Sequence, residues 1–126
     1  MLDSGVEAFV DGLVPKLFAP AHLESMKEKA AYIKEIGYGT SLQGAVGTAR
    51  GMKERSDRTK VIENSRLPVL LVSGACDQIV PKESTFAAVN DRAVKVELEH
   101  AGHMGMIEEP KPLAEAILSF VKHTRS

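Results

Sequence analysis

Apolar positions along the first two-thirds of the chain recur with helical spacing. Residues 4–18 carry Val6, Phe9, Val10, Leu13, Val14, Leu17 and Phe18, one wide stripe on one side of a helix. Ser4 with Glu7 forms a capping box that marks the start at Ser4. Pro15 has no N–H to donate, which predicts a kink or an end near Val14, and Pro20 closes the segment. A second helix is predicted over residues 21–36, with Leu23, Met26, Ala30 and Ile33 on one side and Gly37 as its left-handed C-cap. Thr40 with Gln43 offers a capping box for a third helix, whose apolar face is Leu42, Ala45, Val46, Ala49 and Met52. Gly44, Gly47 and Gly51 weaken that helix intrinsically and read as places where another element approaches closely. A phosphate-binding loop would need a preceding strand, and none precedes these glycines. Residues 57–64 read as a short helix, followed by a turn through Ser65 and Arg66.

From Leu67 onward the pattern changes. Residues 67–72 are almost continuously apolar, which predicts a strand around Val69 to Val72 buried on both faces. Pro81 suits the first turn of a helix over residues 82–90, with Phe86, Ala87 and Val89 facing inward. Residues 94–98 alternate apolar with charged side chains and predict a strand with one wet face, at the sheet edge. A final helix starts at Pro112 and turns Leu113, Ala116, Ile117, Phe120 and Val121 inward. Strand, helix and strand make a β-α-β unit, whose crossover is right-handed and whose strands are parallel. Asp77 and His103 then follow the carboxyl ends of neighbouring strands, the edge where open α/β sheets place their sites.

Composition narrows the possibilities without choosing among them. The length of 126 residues fits one modest domain, and 44% hydrophobic with 26% charged residues reads as soluble and globular. A formal charge of −1 with no basic block gives no support to nucleic-acid binding. No apolar run approaches membrane-spanning length, and the first residues lack the layout of a signal peptide. A single cysteine, Cys76, excludes an internal disulfide and suits a reducing, cytoplasmic setting.

The strings LPVLLVSGACDQIVP and VKVELEHAGHMGMIEEPKPLAEAILSFV resemble the carboxy-terminal third of the α/β-hydrolase fold. The residues before Leu67 look like the helical cap of the same family, so the resemblance covers essentially the whole chain. It implies residues 1–66 as a cap region and 67–126 as a β-α-β-α part of the core, forming one compact unit. It also implies Asp77 as the acid and His103 as the histidine of a catalytic triad. The nucleophile elbow of that family, G-x-S-x-G, is absent, as is an HGGG-type oxyanion stretch. Two members of a triad therefore stand without their nucleophile.

Other side chains fit chemistry less well. His103 is preferred over His100, which lies closer to the strand. Cys76 adjoins a carboxylate, which works against thiolate formation, and Ser73 sits in S-G-A rather than in an elbow. His22 and His123 have no spacing that suggests a metal site, and neither cofactor nor metal is expected. Met104 and Met106 are candidates for lining an apolar pocket with the cap, or for core packing. The resemblance implies part of an ester or lactone hydrolase, inactive alone, whose nucleophile comes from an amino-terminal half. The alternative is a non-catalytic interaction protein that self-associates as a homodimer through the strand Val69 to Val72. A self-sufficient enzyme with an unorthodox nucleophile stands behind both.

Overall fold

Burial of one face of the first helix organises the amino-terminal half. The computed structural model describes residues 5–125, so the capping box expected at Ser4 lies outside the described residues. Helix α1 (Gly5–Leu17) turns Val10 and Val14 inward, and they meet Phe18, whose side chain is fully enclosed. Met26, Ala30, Ile33 and Tyr38 pack on this cluster from one side, and Met104 and Ile107 from the other. The same small core therefore joins the amino-terminal helices to the segment after the second strand.

Pro15 does not end α1, which continues to Leu17. The buried stripe through Val14 and Phe18 outweighs the hydrogen bond that proline forfeits. The second predicted helix is two, α2 (His22–Ser25) and α3 (Lys27–Tyr38). Met26 leaves helical geometry between them, at φ −119° and ψ 27°, as its side chain packs on the Phe18 cluster. Gly37 is not a C-cap but lies within α3, where a Cβ would sit 2.9 Å from both methyl carbons of Val10. Glycine there lets α1 and α3 approach closely.

Helix α4 (Leu42–Glu54) is capped by Ser41, whose hydroxyl accepts the Gly44 N–H at 3.0 Å, and not by Thr40 with Gln43. Nothing lies within 4 Å of where a Cβ would stand on Gly47 or Gly51, so these glycines face open space rather than a packed neighbour. Leu42 and Met52 are exposed. Helix α5 (Thr59–Asn64) starts two residues later than expected, because Asp57 stays outside and accepts the Thr59 N–H at 2.8 Å.

Strands β1 (Leu70–Gly74) and β2 (Val94–Leu98) form a two-stranded parallel sheet, with Leu70 opposite Val94 and Gly74 opposite Leu98. Burial of β1 on both faces does not occur. Leu70, Leu71 and Val72 are half-buried, because the described residues supply no strand on the far side of β1. Helix α6 (Lys82–Thr85) stops short of Asn90. Its continuation is bound elsewhere: Glu63 accepts the Val89 N–H at 2.9 Å, and the Asn90 amide donates to the Ile62 carbonyl at 2.7 Å. Val89 consequently points outward, against the expectation. A short helix α7 (Gly105–Glu108), not foreseen, precedes α8 (Pro110–Thr124). Helix α8 begins at Pro110 rather than Pro112, since prolines in a first turn forfeit no intrahelical bond. Leu113, Ala116 and Phe120 are half-buried, but Ile117 and Val121 are exposed, so the inward stripe is narrower than its sequence suggests. Among the described residues no helix is long and apolar enough to cross a membrane.

Two substitutions separate close packing from intrinsic helix preference. Gly37→Ala is expected to lower stability by about 1–3 kcal/mol, because the stiff Val10 side chain must be displaced. Gly47→Ala, facing open space, is expected to raise it by about 0.5–1 kcal/mol. Urea midpoints of the two variants check both signs, and a neutral Gly37→Ala would contradict the close approach of α1 and α3.

Candidate active site

The two loops that leave the sheet are stitched to each other before any side chain is considered. After β1 the Ala75 N–H donates to the Leu98 carbonyl and the Cys76 N–H to the Ala101 carbonyl, both at 2.9 Å. Gly74 permits this approach: a Cβ on it would stand 2.0 Å from the Gly102 oxygen and 2.6 Å from that of Ala101. Gly102 is equally constrained, since its Cβ would lie 2.6 Å from the Ala19 nitrogen. Three backbone segments thus stack directly: the exit of α1, the loop after β1 and the loop after β2.

This stacking brings Asp77 to His103. Asp77 Oδ1 accepts the N–H groups of Ile79 at 2.8 Å and Val80 at 2.9 Å. The other oxygen, Oδ2, lies 3.0 Å from His103 Nδ1. Burial is the largest single influence on the Asp77 carboxyl and pushes its pKa up. The Val80 and Ile79 N–H groups, with His103, outweigh it and hold the pKa below the ordinary value. An ionised Asp77 can only accept, so His103 Nδ1 carries the hydrogen and Nε2 of the neutral ring keeps a free lone pair. The Asp77 side chain is 9% exposed and that of His103 37%, so the acid is shielded while the ring reaches solvent. A cleft of about 270 Å³ adjoins the pair, with Val72, Val80, Leu98 and Met106 among its walls.

The His103 loop is held by a carboxyl group that the sequence did not single out. Glu108, on α7, is 5% exposed. Its oxygens accept the N–H groups of Gly102 at 2.8 Å and Met104 at 3.2 Å, the two residues that flank His103. The same side chain accepts the Ala19 N–H at 2.5 Å and lies 2.9 Å from His22 Nδ1. The N–H groups of His103 and Met104 donate to the Leu17 carbonyl at the end of α1, at 2.9 and 3.1 Å. Gln78, next to the acid, reaches the Phe18 carbonyl at 3.2 Å. Nothing in the local sequence distinguishes Glu108 from its neighbour Glu109, and only the fold separates their roles.

The remaining candidates lie elsewhere. His100 is exposed, with Nε2 3.9 Å from Glu99, and does not meet Asp77. Ser73 is buried, with a weak 3.5 Å contact to the Gly74 carbonyl, and Cys76 is exposed. Met104 packs on the Phe18 cluster, whereas Met106 reaches the cleft. His22 joins the Glu108 network, and His123 bonds the Ser119 carbonyl on α8. Among the described residues no group of three His, Cys, Asp or Glu side chains could hold a metal ion.

Comparison with solved structures places this arrangement in a known fold. A thermophilic esterase from Thermogutta terrifontis superposes with a TM-score of 0.88 at 23% identity, over 98% of this chain and 46% of its own. The enol-lactonase from Burkholderia xenovorans LB400 gives 0.85 at 21% identity, over 94% and 46%. An α/β-hydrolase enzyme, MGS-M2, from a Medee basin deep-sea metagenome library gives 0.70 at 21% identity, over 93% and 47%. No protein-family profile and no curated protein matches the chain. The chain therefore has part of the α/β-hydrolase fold and spans about half the length of the structures it resembles.

The shielded acid gives a pH signature. At neutral pH Asp77→Asn is expected to cost about 1–3 kcal/mol, as it replaces a buried acceptor of three hydrogen bonds. A carboxyl whose folded pKa is depressed stabilises fully above its unfolded pKa and loses that contribution as pH falls through the folded value. The difference between wild type and variant should thus narrow only below the ordinary value of 3.8. Denaturation midpoints at pH 7 and across the acid range check this, and a gap that closes well above that value would contradict it.

Proposed function

We propose that this chain supplies the acid and the general base of an ester- or lactone-hydrolysing α/β-hydrolase, with the nucleophile carried by a separate segment. In this reading residues 1–66 act as the cap and 67–126 as part of the catalytic core. The observation that carries it is the Asp77 carboxylate, fixed through Oδ1 by two backbone N–H groups and offering Oδ2 to His103 Nδ1. Such an acid holds the imidazole in one tautomer and steadies the imidazolium formed when Nε2 removes a proton. His103 then takes the proton of an incoming serine hydroxyl and returns it to the leaving alcohol. Neither G-x-S-x-G nor an HGGG-type stretch occurs in the sequence, so the serine and the oxyanion donors must come from elsewhere. The half-length match to the esterase and the enol-lactonase supports an ester or lactone as substrate. The apolar walls of the cleft favour a hydrophobic acyl group beside His103.

A second reading is favoured by one observation. Val69 directs its carbonyl to β2, where it accepts the Val94 N–H at 2.9 Å. By strand alternation the N–H and C=O of Leu70 face the unpaired side. An unpaired ribbon of half-buried Leu70, Leu71 and Val72 is a template for another strand. In the hydrolase reading that strand belongs to the nucleophile-bearing segment, and in its absence a second copy of the chain takes the place as an edge-to-edge homodimer.

One set of preparations tests both readings. The chain alone is expected to give no appreciable turnover of activated esters. Mixed with an amino-terminal half from a related hydrolase, it should gain turnover that His103→Ala lowers by several powers of ten. Sedimentation of the chain alone at micromolar concentration should show a dimer that Leu70→Pro dissociates, since that proline removes only the outward-facing donor. Robust turnover by the isolated chain that vanishes with His103→Ala would place the nucleophile within it. A demonstrable complex without turnover would defeat complementation, and a strictly monomeric wild type would defeat self-association.

A further inference from the structure

Beside the cleft at His103, and sharing Thr85 with it, lies a second and larger hollow of about 560 Å³. It is formed where the connection between α4 and α5 faces α6, and its floor includes Ile62 and the buried Ala88. Arg55 and Arg58 both line it, three residues apart on that connection. Among the described residues neither guanidinium takes part in a hydrogen bond or an ion pair. The hydroxyls of Ser56, Ser84 and Thr85, also in the wall, likewise have no hydrogen-bond partner among the described residues.

The chemistry of this hollow points to a negatively charged ligand. Residues 50–66 hold six Lys and Arg against three Asp and Glu, in a chain whose overall formal charge is −1. Positive charge is thus concentrated on this one segment. Asp57 is the one acid in the wall, and its carboxylate is already engaged by the Thr59 hydroxyl at 2.6 Å and N–H at 2.8 Å. The wall therefore carries a net charge of +1, two guanidiniums against one carboxylate whose hydrogen bonds go to Thr59 and not to either arginine. Guanidinium groups offer planar, paired donors that match carboxylate and phosphate oxygens, and hydroxyls in the opposite wall can complete the coordination.

We propose that this hollow is an anion-binding subsite, in which Arg55 and Arg58 grip the carboxylate or phosphate group of a small molecule. The remainder of that molecule extends along Thr85 toward His103, a placement that rests on the hydrolytic reading, whereas the anion site itself does not. A substrate of this kind carries two functions: an anionic end held by the arginines and an acyl end presented to the base.

Titration of the isotope-labelled chain with succinate and with inorganic phosphate, followed by NMR at fixed ionic strength, tests the site without any turnover. Saturable shifts are expected at Arg55, Arg58, Ser84 and Thr85, with neutral succinamide and chloride giving none. The exposed double variant Arg55→Gln/Arg58→Gln should retain the wild-type spectrum elsewhere and weaken binding by about tenfold or more. Binding of one anion and not the other supports the site and identifies its ligand chemistry. Absent shifts, equal shifts with chloride, or affinity unchanged in the double variant would overturn it. Binding that persists in a chain shown incapable of complemented turnover would uphold the anion site and defeat only the hydrolytic reading.

Discussion

A buried carboxyl group ties the loop that carries His103 to the amino-terminal helices. Glu108 gathers the N–H groups of Ala19, Gly102 and Met104 and the ring of His22 around one side chain. Those groups come from the exit of the first helix, from the second helix and from both sides of His103. The Ala19 and Gly102 N–H groups would otherwise be polar groups turned away from water, at a cost of about 1–3 kcal/mol each when left unmet. Removing the carboxyl would leave both unmet together, while Met104 keeps its bond to the Leu17 carbonyl, so the segments Glu108 joins depend on one another.

The glycines set the distance at which that network works. Gly74 and Gly102 bring three backbones closer than any side chain would allow. Asp77 is then positioned by its own loop, through Ile79 and Val80, and does not rely on His103 to hold it in place. The acid is fixed from one side and the histidine loop from the other, so their meeting follows from two independent restraints. Among the described residues the edge of β1 has no such closure. It carries half-buried apolar side chains and backbone groups that no described strand pairs.

Much of this was legible in the sequence, for reasons that differ by element. Strand β2 is legible to its bounds because alternation and flanking turns both mark it, and the β-α-β order puts Asp77 and His103 on one edge. Local rules failed where tertiary packing took precedence. Pro15 stays inside α1 because Val14 and Phe18 are buried around it, and α6 ends early because Val89 and Asn90, just beyond it, bind Glu63 and Ile62 of α5. Gly37 has the local signature of a cap, whereas its real partner, Val10, is far away in sequence. Glu108 was invisible for the same reason: its partners lie up to 89 positions away, and no period or spacing records them.

This chain alone preassembles the Asp77–His103 pair, with Glu108 holding the loop that carries the ring. Nitrogen-detected NMR of the His103 imidazole reads this directly, because the two neutral tautomers differ in which nitrogen carries the hydrogen. The wild type should show an Nδ1-protonated neutral ring, hydrogen-bonded to Asp77. That preference should be lost in Glu108→Ala, even though Glu108 does not touch the ring. A wild-type ring protonated at Nε2, or a tautomer unaffected by loss of Glu108, would contradict it.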